Sequence, residues 1–434
     1  MDNNHLKNIG LMITGLSLIF GVSTCSQPST SRDIPNPPKT TDNNCTSTVK
    51  LPAIAPPTID PKLITANTQF SFKLFSEILK KEHNKNIFVS PVSVAIALTM
   101  TYNGAQGETQ QAMAKTLELK DIDLKTLNQA NAALITSLLK LDNPQIKIAL
   151  ANSLWAKQEI SFPSEFLKNN TDFYGTQITQ LDFKNPKSKD TINEWVKQQT
   201  CGKISQIIDK IDPSSVLYLI NALYFKAPWQ EQFSQESTKE QTFYLGDRGT
   251  KKVPMMSQKE WFPYYETSDF QAISLPYSGG RFSLYVFLPK KTSNLAQFSQ
   301  QLTPGNWDKW MNSFTRKEGT IKLPRFKLEY ETSLNDTLKS LGMEIAFTDK
   351  ANFSSMAKNT PNLFIGEVKH KTFVAVNEEG TEAAAVTSVG IRTTSMPPRE
   401  SQPFEMIVDR AFFTAIRDNQ TGTILFMGSI LEPK

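Results

Sequence analysis

Ten consecutive residues, Val216-Leu217-Tyr218-Leu219-Ile220-Asn221-Ala222-Leu223-Tyr224-Phe225, carry no charge and are apolar or aromatic except for one amide. Successive side chains of a strand point to opposite faces. A strand apolar at every position therefore fits the centre of a sheet covered on both sides, so the chain must supply layers above and below it.

Helical patterns dominate upstream of this run. Phe70, Leu74 and Ile78, with Phe75 and Leu79, recur at helical spacing. Ser90-Pro91 reads as an N-cap followed by proline at the first helical position, opening a helix from Val92 to Asn103. Gly104 is expected to end that helix in a left-handed cap. Leu127, Ala130, Leu134, Leu138 and Leu141 mark another amphipathic helix, and Ile146 to Leu150 alternate as a strand does. Strand patterns prevail downstream: Phe282, Leu284, Val286 and Leu288 alternate, as do Ile321 and Leu323, with one short helix at Leu334, Leu338 and Leu341. No fixed-period repeat and no second linker interrupts this stretch, so residues 62–434 are expected to form one α+β domain.

The N-terminal part differs in kind. His5 and Lys7 precede an apolar run from Ile9 to Val22, which has the length and flank of a secretory h-region. It ends at Val22-Ser23-Thr24-Cys25, similar to a bacterial lipobox, with Thr24 in place of the usual Gly, Ala or Ser. Residues 1–24 are thus expected to be a lipoprotein-type signal peptide and Cys25 the lipidated residue, with plain export as the alternative. Residues 25–61 hold Pro35, Pro37, Pro38, Pro52, Pro56 and Pro57 among Ser, Thr and Asn, the composition of a disordered tether. The expected location is the cell envelope or the extracellular or periplasmic space, with membrane contact only through the lipid. Cys25, Cys45 and Cys201 are the only cysteines, so the fold is not disulfide-built and free thiols are expected. A net charge of +5 spread over 434 residues gives no argument for nucleic acid.

One segment has strand chemistry where a loop is expected. In Glu378-Glu379-Gly380-Thr381-Glu382-Ala383-Ala384-Ala385-Val386-Thr387-Ser388-Val389-Gly390-Ile391, alternation puts Thr381, Ala383, Ala385, Thr387, Val389 and Ile391 on one uncharged face. Glu382 and Arg392 fall on the opposite face, which could stay in water. Strand patterns at Phe373 to Val376 and Phe404 to Val408 bracket it. More than 20 residues without a core pattern, the turn-forming Met396-Pro397-Pro398 among them, point to a functional loop over about 378–402.

Several motifs together resemble the serpin family across nearly all of residues 65–434. They are Asn86-Ile87-Phe88-Val89-Ser90-Pro91-Val92-Ser93, Asn103-Gly104-Ala105-Gln106-Gly107-Glu108-Thr109, Asn221-Ala222-Leu223-Tyr224-Phe225-Lys226 with Trp229, Leu323-Pro324-Arg325-Phe326, Leu341-Gly342-Met343, and Gly422 to Gly428. Ala411, where the family usually has Pro, and Thr414, where it has a bulky apolar residue, depart from the pattern. The resemblance implies an α+β serpin fold, with helices around three β-sheets, a large central sheet A and an exposed reactive-centre loop. It makes Glu378, Glu379, Gly380, Thr381, Glu382, Ala383, Ala384 and Ala385 the hinge, and puts Asn221 and Trp229 where the sheet opens. The family's usual spacing from the hinge Glu places the attacked bond at Thr394-Ser395, which suits an elastase-like or small-pocket protease. Arg392-Thr393 is the alternative and suits a trypsin-like one. The implied partner is a protease, serine class first, bound by a monomer that needs no cofactor. A non-inhibitory binding or chaperone-like serpin, or a cross-class inhibitor of cysteine proteases, stands as the alternative function.

An enzyme is the rival from another class. Nucleophilic catalysis usually needs a His base, and the chain has only His5, His83 and His370. His83 stands among Lys80, Lys81 and Lys85, and His370 between Lys369 and Lys371, so both are expected to be solvated. No His/Cys cluster has metal-ligand spacing and no Gly-rich loop has phosphate-binding form, so no enzymatic activity and no metal are expected.

Overall fold

Helix boundaries follow local capping chemistry. In the computed structural model, which describes residues 50–56, 58–176, 178–357, 363–382 and 402–434, helix α1 (Pro61–Lys81) begins where the Asp60 side chain accepts from the Lys62 N–H at 2.8 Å. Helix α2 (Pro91–Tyr102) begins at Ser90, with Pro91 in its first turn as the sequence suggests. All of its residues are buried, as befits a helix apolar all round. Gly104 does not act as expected. Its φ is not positive, and Asn103 closes the helix in the right-handed region. The glycine is needed because a Cβ there would lie 2.4 Å from the Met356 Cβ. Helices α3 (Gly107–Thr116), α4 (Leu124–Leu139), α5 (Ser164–Tyr174) and α6 (Ser188–Gln199) follow. The later helices α7 (Leu295–Gln300), α8 (Pro304–Met311) and α9 (Asn335–Leu338) are short.

The strands are β1 (Ile87–Val89), β2 (Lys147–Lys157), β3 (Ile178–Leu181), β4 (Leu217–Pro228), β5 (Lys239–Tyr244), β6 (Thr250–Glu266), β7 (Phe270–Pro276) and β8 (Phe282–Pro289). They continue with β9 (Thr315–Pro324), β10 (Phe326–Ser333), β11 (Glu367–Val376), β12 (Gly380–Thr381), β13 (Phe404–Ile407), β14 (Phe412–Asp418) and β15 (Ile424–Ile430). Among the described residues they form a six-stranded sheet, in the order β10-β11-β12-β4-β2-β3, and a nine-stranded one. In the second sheet β6 pairs with β7 and β9 along the path β1-β15-β14-β8-β7-β6-β9-β13, and β5 branches from it by pairing with β6.

The apolar run is β4, and both its faces are covered. Leu217, Leu219, Leu223, Phe225 and Ala227 enter the main core, while Tyr218, Ile220 and Ala222 enter a second core. Helix α6 covers that second face through Ile192 and Val196, with Trp195 edge-on to Trp155 at 5.9 Å. The described sheets and helices all belong to one compact unit, Thr46–Lys434. Cys201 is disulfide-bonded rather than the free thiol expected of it. Among the described residues no helix is long and apolar enough to cross a membrane.

Candidate functional site

Two strands of the central sheet run the same way although their other neighbours do not. β11 pairs with β4 in parallel, from Glu367 against Tyr218 to Phe373 against Tyr224. β10 pairs with β11, and β2 with β4, in antiparallel fashion. At the far end of the parallel pair the strands separate and β12 occupies the gap. Gly380 lies opposite Pro228 and Thr381 opposite Ala227, while Thr381 also faces Val376, each pairing antiparallel. Gly380 is required there: its φ is +153° and a Cβ would sit 2.2 Å from the Ala227 carbonyl oxygen.

The turn into β12 is held at several points. Asn377 accepts through Oδ1 from the N–H of Glu379 and of Gly380, at 3.0 and 3.2 Å. The Trp229 indole Nε1 donates to the Asn377 carbonyl at 2.8 Å, and the backbone N–H groups of Trp229 and Phe233 donate to the carbonyls of Glu379 and Glu378. Trp229 stacks on Tyr277 with ring centroids 4.6 Å apart, and the Tyr277 hydroxyl meets that of Thr381. The buried Glu378 carboxylate accepts from Arg325 Nε at 2.7 Å and from the Thr238 hydroxyl. Burial pushes that carboxyl up, but the hydrogen bonds from Arg325 and Thr238 outweigh it and leave it below its ordinary range. Glu379 lies above its ordinary range because it is partly buried and close to Glu378.

Thr381 takes the buried position expected of its face of the strand. Glu382 departs from expectation. Its φ is +53°, its side chain is only 9% exposed, and its carboxylate lies 3.6 Å from Lys203 Nζ instead of standing in water. Ala383, Ala384 and Ala385 of the hinge, both candidate bonds at Thr394-Ser395 and Arg392-Thr393, and Cys25 lie outside the described residues.

A row of polar side chains crosses the sheet below the gap. Asn152, Asn221 and His370 stand opposite one another on β2, β4 and β11 and face the main core. His370 corrects the expectation that it is solvated, being fully buried. Lys369 and Lys371 misled because neighbours in a strand point the other way. Lys371 indeed pairs with Glu329 and Glu331 on β10, at 2.8 and 3.0 Å. His370 Nε2 accepts from the Ser90 N–H at 3.0 Å, so the proton sits on Nδ1 and is donated to Asn221 Oδ1. Ser93 Oγ donates to the same oxygen at 2.8 Å, and Asn221 Nδ2 donates to Asn152. Burial lowers the His370 pKa to about 3, so the ring is neutral at pH 7. The family motif draws attention to Asn221 alone. Ser90, Ser93 and Asn152 carry no mark of this role in the sequence, whereas strand alternation over Val368, His370, Thr372 and Val374 puts His370 inside. His83, by contrast, is exposed as expected.

The fold and site define an α+β protein in which a segment of the chain starts a strand, antiparallel to both neighbours, between the parted ends of two parallel strands. A family model described as "Serpin (serine protease inhibitor)" matches residues 65–433, and the chain belongs to the serpin family. It is 36% identical over 384 residues to the leukocyte elastase inhibitor of Bos taurus, covering 86% of this chain and all of that one. A serpin-like protein of Thermococcus kodakarensis is 36% identical over 374 residues, 86% of each chain. Among solved structures, the thermophilic serpin tengpin in its native state superposes with a TM-score of 0.80 at 34% identity, covering 88% of this chain and 97% of that one.

Proposed function

We propose that this serpin inhibits serine-type endopeptidases as a suicide substrate. The observation that carries the reading is β12: two hinge residues already paired between β11 and β4. The protease serine attacks the Thr394 carbonyl, the Ser395 amine leaves, and the enzyme stays esterified to Thr394. The freed strand then continues inward from Thr381. A strand entering here replaces one parallel pairing with two antiparallel ones, which gain ladder hydrogen bonds and bury apolar surface. The native form is thus a kinetic trap, and the protein acts once without turning over.

The names of the mammalian relatives favour an elastase-like target, in line with the small residues at Thr394 and Ser395. Incubation with elastase-like and trypsin-like proteases tests the reading. A complex that survives denaturing electrophoresis supports inhibition, and the mass of the released peptide, beginning at Ser395 or at Thr393, identifies the bond. Cleavage by every protease without a stable complex overturns inhibition in favour of a non-inhibitory serpin. Capture of a papain-type enzyme alone overturns the serine-class assignment. We also propose export with acylation at Cys25, tested by palmitate labelling that Cys25→Ser abolishes.

A further inference from the structure

The hinge stops abruptly after Thr381, and the stop has a definite partner. Glu382 still donates its N–H to the Ala375 carbonyl at 2.8 Å, but its backbone turns into the left-handed region at φ +53°. For a residue with a Cβ this conformation is disfavoured, and it breaks the extended path that the next residue needs to enter the sheet. The carboxylate supplies the compensation. One oxygen lies 3.6 Å from Lys203 Nζ, and the other is buried with no hydrogen-bond partner among the described residues. Left without a cation, this carboxylate would be a buried unpaired charge.

Lys203 is held firmly. It follows α6 in a tight turn whose Cys201 and Gly202 have φ of +57° and +75°. The Thr200 hydroxyl accepts the Ile204 N–H at 3.1 Å, and Ile204, Ile207 and Ile208 anchor the following segment in the second core. The same core contains Ile220 and Ala222 of β4 and Phe373 of β11, the two strands that must part. The turn after α6 therefore has a fixed position on the sheet face over which the hinge must advance.

We propose that Lys203 is a positioning residue that latches Glu382, holding the hinge entered by two residues and no further until the pair breaks. The rate at which the loop goes in, spontaneously or after cleavage, is then set in part at this ion pair. The consequence for inhibition rests on the inhibitory reading above, whereas the latch itself does not.

The test compares the full chain with Lys203→Ala, Lys203→Arg, and Lys203→Glu alone and combined with Glu382→Lys. Hydrogen exchange at the Glu382 amide reads the hinge directly and needs no protease. Lys203→Ala is expected to speed this exchange about fivefold, the effect of losing a half-buried pair, and to speed spontaneous loss of the native form on mild warming by a similar factor. Lys203→Arg and the charge-swapped double variant are expected to restore both rates, a rescue that a merely structural lysine would not show. Unchanged exchange in Lys203→Ala, or a double variant no better than Lys203→Glu alone, overturns the latch. If exchange responds as expected while the unaltered protein traps no protease, the latch stands and the inhibitory reading falls.

Discussion

The hydroxyl oxygens of Thr381 and Tyr277 lie 2.6 Å apart with both residues fully buried. This bond ties the first inserted residues to the Trp229 stack, so the hinge does not rest on backbone pairing alone. Tyr277→Phe keeps the ring against Trp229 but leaves the Thr381 hydroxyl buried and unpaired, at a cost of about 1 to 3 kcal/mol. The thermal unfolding midpoint of the native form is expected to fall, with faster hydrogen exchange at the Glu382 amide. A midpoint equal to that of the unaltered protein would remove the bond from the account of hinge placement.

Gly380→Ala probes the entry itself. The added Cβ meets the Ala227 carbonyl at 2.2 Å and the Pro228 Cα at 2.6 Å, both backbone atoms that cannot swing aside. The hinge is expected to withdraw from between β11 and β4. The Trp229 and Phe233 amides, which donate to the carbonyls of Glu379 and Glu378, then exchange at least about tenfold faster, the factor for about 1.4 kcal/mol. Retained protection at those two amides would mean that β12 tolerates a side chain.

The central sheet is legible because residues 217–225 of β4 carry no charge and are apolar or aromatic except at Asn221, a pattern that allows little besides a strand covered on both faces. Capping chemistry gave α2 its start at Ser90 and Pro91. Its end was misread, because the need for Gly104 comes from Met356, some 250 residues away in sequence. His370 escapes notice for a related reason. Its sequence neighbours are lysines and suggest a surface, whereas its partners Ser90 and Asn221, with Asn152 beyond Asn221, meet only when three strands and a helix come together. Tyr277 and Lys203, which hold Thr381 and Glu382, carry no local signal, and the motif that contains Arg325 says nothing of its bond to Glu378, since each acts across a contact that the tertiary fold creates.

Thr381→Arg separates cleavage from trapping. Residue 381 is fully buried between β11 and β4, and a guanidinium there would lose its hydration. The variant is expected to remain a substrate for the target protease, while the denaturant-stable complex falls below about a tenth of its normal yield, the result of slowing insertion by about 1.4 kcal/mol against hydrolysis. Complex formation at the normal yield would show that insertion does not pass through this position.

Acid should loosen the sheet through His370. Its pKa is held at about 3 in the native form by burial, whereas in the unfolded chain it lies near 6.5. Between these values the unfolded state binds a proton that the native state refuses. Native stability therefore falls as pH drops below about 6.5, and the contribution is fully present and flat above that value. From pH 7 to pH 5 the loss is about 2 kcal/mol. Glu378, held below its ordinary range, loses its stabilising contribution only at lower pH. Glu379, held above its range, acts in the opposite sense. Because His370 joins β11 to Asn221 on β4, the penalty falls on the seam between these two strands. Spontaneous loss of the native form is expected to be roughly tenfold faster or more at pH 5 than at pH 7, given about 1.4 kcal/mol per decade. His370→Gln, which cannot titrate, is expected to lose most of that dependence whatever its own stability. An equal pH dependence in the two proteins would assign the acid sensitivity to other groups.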